Sequence, residues 1–131
     1  MLYLWVAIGG AIGTICRFWL SGTIAQWFGE TFPWGTIIVN ITGCFAIGFA
    51  ATAMGPDGRI FYGSSARTFV MVGICGGYTT FSSFSLQSLN LVNDGEWLAA
   101  LGNTGLSVVA CYVAVWLGHS VAVNLNAMRW V

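Results

Sequence analysis

Four apolar stretches, roughly 3–28, 34–54, 68–92 and 97–123, each reach the length of about 20 residues that a helix needs to cross a bilayer. The connections are short: Gly29-Glu30-Thr31-Phe32-Pro33, then Gly55-Pro56-Asp57-Gly58-Arg59 continuing to about Arg67, then Asn93-Asp94-Gly95-Glu96. Hydrocarbon supplies no hydrogen-bond partners, so such stretches satisfy their own backbone as helices. Charged residues make up 6% of the chain, against about 25% in a soluble domain, and all four acids fall in the loops or at their edges. These features predict an all-α membrane protein in which residues 1–131 form a single domain of four transmembrane helices in the lipid bilayer. A formal net charge of zero with no basic patch argues against a nucleic-acid partner. The first stretch has no Lys or Arg before Arg17, and is expected to remain as a helix rather than leave as a signal peptide. Trp27, Trp34 and Trp97 are expected at one membrane interface, Trp5 and Trp130 near the other.

The third stretch is unlike the others. Gly73 to Ser85 reads Gly-Ile-Cys-Gly-Gly-Tyr-Thr-Thr-Phe-Ser-Ser-Phe-Ser. Each glycine in a helix interior costs roughly 1 kcal/mol relative to alanine, so Gly76-Gly77 predicts a break in the helix within the membrane. Backbone groups freed there must be buried in protein or line a wet cavity. Beyond the break Phe81 and Phe84 stand three apart, on one face of a resumed helix, among Ser82, Ser83 and Ser85.

Polar residues in the other spans each admit two readings. Gly9, Gly13 and Arg17 share a face of the first helix, and the glycines make a surface for close helix contact. Arg17 either snorkels to the interface or faces a wet vestibule and draws anions in. The second helix starts at Pro33-Trp34-Gly35-Thr36, and Thr36, Asn40 and Gly43/Cys44 share a face. Asn40 is either interhelical glue or an N–H donor to a passing anion. Asn103, Ser107 and Cys111 form a polar stripe on the fourth helix, which either ties helices together or lines a path. His119 near the end of that span reads as interfacial. Cys16, Cys44, Cys75 and Cys111 lie in apolar segments without a Cys-x-x-Cys pair, and read as small packing residues.

The run Gly76-Gly77-Tyr78-Thr79-Thr80-Phe81-Ser82-Ser83-Phe84-Ser85 resembles the signature of the CrcB/Fluc family of fluoride channels, and Gly35, Thr36 and Asn40 match that family's Gly-Thr-x-x-x-Asn pattern. The resemblance covers nearly the whole chain. It implies a passive, selective channel that exports cytoplasmic fluoride through the bacterial inner membrane and so protects against its toxicity. It implies an antiparallel, dual-topology homodimer with two pores, each lined by both subunits. The pathway would run past Arg17, Asn40, Phe81, Ser83 and Phe84 and along the fourth-helix stripe. Asn103 and Cys111 depart from the tyrosine and serine or threonine expected there, and a thiol is the weaker donor. The resemblance also implies a structural Na+ at the dimer centre, held by backbone carbonyls of Gly76 and Thr79 from each subunit.

Fluoride suits these residue types. The ion is small and holds water tightly, so a filter must offer many donors. A phenyl ring has a negative face and a positive edge, and an edge can meet an anion. Four-helix proton-coupled exporters depend on a membrane-embedded carboxylate, and no span contains one. A non-transporting membrane subunit would leave the Phe-Ser-Ser-Phe run unexplained. No nucleophile–base pair or metal-ligand cluster points to an enzyme. Arg59, Arg67 and Arg129 fall on the side of the termini and the opposite loops hold no Lys or Arg, which biases the termini to the cytoplasm. A heterodimer with an oppositely oriented homologue therefore stays open beside the homodimer.

Overall fold

The computed structural model describes residues 1–56, 58, 60 and 63–128. Asp57, Arg59, Arg129 and Trp130, which carry part of the loop, charge and interface expectations, lie outside the described residues. Helix α1 runs Leu2–Phe28 and α2 runs Trp34–Ala53. The third span, Ser64–Asn93, is a chain of shorter pieces. It comprises α3 (Ser64–Thr68), a π-helical stretch (Phe69–Cys75), α4 (Gly76–Tyr78) and α5 (Phe81–Asn93). Helix α6, Trp97–Ala127, is the fourth. All four spans are long and apolar enough to cross a membrane. The third begins four residues earlier than the hydropathy suggests, because Ser64–Thr68 is helical ahead of the apolar run.

Local chemistry sets the ends. Gly29 adopts φ 78°, a left-handed conformation open to glycine, and its N–H closes on the Ala25 carbonyl at 2.8 Å to end α1. Pro33 precedes α2, and its carbonyl accepts from Ile37 N–H at 3.1 Å. Gly95, at φ 81°, turns the chain between α5 and α6.

Glycine positions bring two helix pairs to backbone contact. A Cβ on Gly48 would meet the Val115 carbonyl, and one on Gly118 would meet the Phe45 carbonyl. One turn beyond Gly48, Thr52 Oγ1 bonds His119 Nδ1 at 2.7 Å. One turn before it, the side chains of Cys44 and Cys111 lie beside each other. Both partners advance together along the chain, so α2 and α6 lie parallel. On the other side α1 packs along the third span: a Cβ on Gly9 would lie 2.9 Å from Gly73 Cα, and one on Gly77 would lie 2.6 Å from the Gly10 carbonyl oxygen. Small residues allow this approach where lipid offers no hydrophobic drive for helix association.

The interruption of the third span is not at the glycines. Gly76 and Gly77 are helical, and the extended residues are Thr79 (φ −80°, ψ 158°) and Thr80 (φ −152°, ψ 115°). Gly77 serves closeness to α1 instead. Trp27 and Trp97 are exposed, and Trp5 packs edge-on against Phe69 at 5.8 Å.

Candidate functional site

The extended pair Thr79–Thr80 redirects hydrogen bonds from the helix ladder to side chains. Thr80 N–H, which a continuing helix would direct at Gly76, donates to Asn40 Oδ1 at 2.7 Å, while Asn40 Nδ2 donates to the Thr80 carbonyl at 2.9 Å. Thr80 Oγ1 caps α5 by accepting from Ser83 N–H at 3.2 Å, and its hydroxyl donates to Ser83 Oγ at 3.1 Å. Before the interruption, the Cys75 carbonyl accepts from both Thr79 N–H and Thr79 Oγ1, each at 3.0 Å. The Gly77 carbonyl accepts from Arg17 Nε at 3.2 Å and Thr14 Oγ1 at 3.3 Å. No donor among the described residues is directed at the Thr79 carbonyl.

One face of α5 lines a cavity of about 550 Å³ with Thr80, Ser83 and Gln87. Arg17 and Thr36 line it from α1 and α2, while Glu30 and Asp94 bring carboxylates from the loops. Arg17 thus reaches both the cavity and the Gly77 carbonyl, which bears on the choice between snorkelling and vestibule. The Gln87 Oε1 is, among the described residues, the one buried side-chain oxygen or nitrogen left without a hydrogen-bond partner.

Phe81, Phe84 and Ser88 share the neighbouring face of α5. The two phenyl rings lie 5.2 Å apart, tilted at 55°. Phe84 is 7% exposed and Phe81 76% exposed in the single chain. Both stand in the first turn of α5, where the unpaired N–H groups of a helix start carry partial positive charge. Ser88 carries this face on to α6: its Oγ accepts from Asn103 Nδ2 at 2.8 Å, and Ser107 Oγ donates to Asn103 Oδ1 at 3.3 Å. Asn103 and Ser107 are buried, so the stripe faces protein rather than lipid.

Residues 4–119 match the family described as CrcB-like protein, Camphor Resistance (CrcB). The chain is 59% identical over 128 residues to a protein of Opitutus terrae named fluoride-specific ion channel FluC, covering 98% of this chain and 97% of that one. A protein of the same name from Methylocella silvestris is 56% identical over 129 residues, covering 98% of each chain. One from Rhodospirillum rubrum is 57% identical over 126 residues, covering 96% of this chain and 98% of its own length. The chain belongs to the CrcB family. Every candidate residue named here lies within the matched segment.

In this CrcB chain the candidate residues fall into four groups. Arg17 and Ser83 share the cavity. Phe81 and Phe84 meet at a tilt on the next face of α5, which Ser88 continues to Asn103 and Ser107. Asn40 is absent from the cavity lining and splints the interruption instead, with its Oδ1 and one Nδ2–H engaged by Thr80. Cys111 lies beside Cys44. Gln87 and Ser88 were not singled out from sequence, although Gln87 follows Ser83 by four and Ser88 follows Phe84 by four, spacings that a helical reading of α5 puts on the two faces. Thr80 and Thr14 carry no such local signal, because their partners are 40 and 63 residues away.

Proposed function

We propose that this chain is a passive, selective fluoride channel that exports fluoride from the cytoplasm and so relieves its toxicity. The relatives named fluoride-specific ion channel support the reading. The observation that carries it is the phenyl pair Phe81–Phe84 at the positive end of α5, in a span without any carboxylate. Hydrogen fluoride that crosses the membrane unassisted ionises at neutral pH inside, and the trapped anion leaves down its gradient.

Arg17 in the cavity raises the local concentration of anions. Ser83 donates as water is shed, and the ring edges of Phe81 and Phe84 meet the ion where hydration is thinnest. Ser107 and Asn103 continue the path, and Cys111, whose thiol is a weak donor, contributes least. Asn40 holds the extended Thr79–Thr80 backbone, with one Nδ2–H left for the ion. The interruption lies mid-membrane in this reading.

The working unit is an antiparallel homodimer in the bacterial inner membrane, with two pores and 1–131 as one domain. Phe81, mostly exposed in a single chain, is then lined by the second subunit. The carbonyls of Gly76 and Thr79 would hold Na+ at the dimer centre. Their fit rests on donor chemistry: both are hard oxygens, Thr80 N–H is turned from Gly76 to Asn40, and nothing among the described residues donates to Thr79. When bound, the ion supplies fixed positive charge beside the phenyl rings.

The deciding experiment is fluoride efflux from liposomes holding the purified protein, with chloride as control and a potassium ionophore to release the voltage. Fast, ionophore-dependent fluoride efflux without chloride efflux is expected. Absence of flux, restored by co-reconstitution with an oppositely oriented homologue, would replace the homodimer by a heterodimer; absence in both would leave a non-transporting subunit. Arg17→Ala is expected to lower fluoride flux about tenfold at low salt and less at 0.5 M, roughly, since exposed-charge attraction is screened there. A loss independent of salt would assign Arg17 to the Gly77 carbonyl alone.

A further inference from the structure

Threonine in a helix ordinarily returns its hydroxyl to the carbonyl one turn back. Thr23 does so to Trp19 at 2.9 Å, Thr42 to Ile38 at 2.8 Å, Thr52 to Gly48 at 3.1 Å and Thr104 to Ala100 at 2.9 Å. Thr14 instead crosses to the Gly77 carbonyl on the third span, 3.3 Å away. Arg17, three residues on and on the same side of α1, sends Nε to the same oxygen. That oxygen is an orphan. A continuing helix would direct the Phe81 N–H at Gly77, but the extended Thr79–Thr80 backbone carries Phe81 into the next helix. Glycine allows the crossing: a Cβ on Gly13 would lie 2.8 Å from Tyr78 N, and one on Gly77 would lie 2.6 Å from the Gly10 carbonyl oxygen.

We infer that Thr14 is a positioning residue for the ion pathway. Its hydroxyl shares the Gly77 carbonyl with Arg17, fixing the end of α4 and the direction in which the guanidinium faces the cavity. The clamp stands on the geometry; its effect on transport rests on the fluoride-channel reading. Without the hydroxyl, Arg17 Nε is left as the single side-chain donor to the Gly77 carbonyl, and the guanidinium is drawn from the cavity toward it. The defect then falls on ion capture rather than on the phenyl filter.

Thr14→Val keeps the shape and removes the donor; Thr14→Ser keeps the donor. The sequence contains a single Gly-Tyr pair, Gly77–Tyr78, so labelling with 13C-carbonyl glycine and 15N tyrosine reports the Gly77 carbonyl alone in bilayer NMR. In Thr14→Val the carbonyl resonance is expected to move upfield, and in Thr14→Ser to stay. Flux at limiting fluoride is expected to fall about fivefold in Thr14→Val, the size of one net hydrogen bond. Flux at saturating fluoride should be nearly unchanged, selectivity over chloride intact, and Thr14→Ser should restore capture. An unmoved carbonyl in Thr14→Val overturns the clamp. A moved carbonyl with unchanged capture, or a capture defect that serine does not restore, overturns the positioning role. A moved carbonyl in a chain that passes no fluoride supports the clamp and counts against the channel reading.

Discussion

Phe81→Ile, reconstituted in its folded state, is expected to lose fluoride efflux by about 100-fold or more, the scale on which removing one preorganised group acts where charge must be stabilised. Isoleucine keeps the apolar character of the position and removes the ring, and with it the positive edge that can face an anion. The position suits the test because Phe81 is 76% exposed in the single chain, so little of the protein's own core rests on it. Phe84, at 7% exposure, is a poorer probe: its replacement leaves a cavity in the fold and mixes packing with permeation. Efflux is read with a fluoride electrode, and elution and tryptophan fluorescence verify assembly. Flux equal to that of the unsubstituted chain would remove the aromatic edge from the mechanism and leave the hydroxyl donors as the filter.

Much of the architecture is legible in local sequence. Trp34 and Trp97 begin helices where Pro33 and the Asn93–Glu96 turn predict, since capping and turn chemistry act over a few residues. The polar spacing of Asn103 and Ser107 likewise foretells one buried face of α6. The interruption of the third span is different. Propensity points to Gly76-Gly77, because glycine is the weakest helix former present. The chain departs from helix at Thr79–Thr80, where Thr80 finds in Asn40 a partner for both its N–H and its carbonyl. That partner lies 40 residues upstream, so no local propensity contains it. Gly77 responds to another long-range demand, the contact with Gly10 of α1. For the same reason the closeness of Cys44 to Cys111 and the Thr14–Gly77 contact escape a reading by periodicity: each depends on the register between helices.

Asn40→Leu is expected to cost both stability and transport. The Asn40 amide pairs with Thr80 at 2.7 and 2.9 Å, acceptor to its N–H and donor to its carbonyl, much as a neighbouring strand would. Leucine of similar size leaves both groups without a partner, at about 1–3 kcal/mol each. The chain has one local remedy: Thr80 N–H can return to the Gly76 carbonyl, which fuses α4 to α5. That healed helix rotates Phe81 relative to Phe84's neighbours and closes the Gly76 oxygen to any cation. Thermal stability of the protein in detergent should therefore fall, fluoride efflux should drop about 30-fold or more on the same 2–6 kcal/mol scale, and the residual flux should lose any dependence on sodium. Asn40→Asp separates the two halves of the pair. Its carboxylate still accepts from Thr80 N–H, so the interruption should persist with a smaller loss of stability. If Asn40 acted only as a ligand for the passing anion, leucine would lower flux and leave the melting temperature where it was; a fall in both assigns the residue to the joint on which the phenyl pair is mounted.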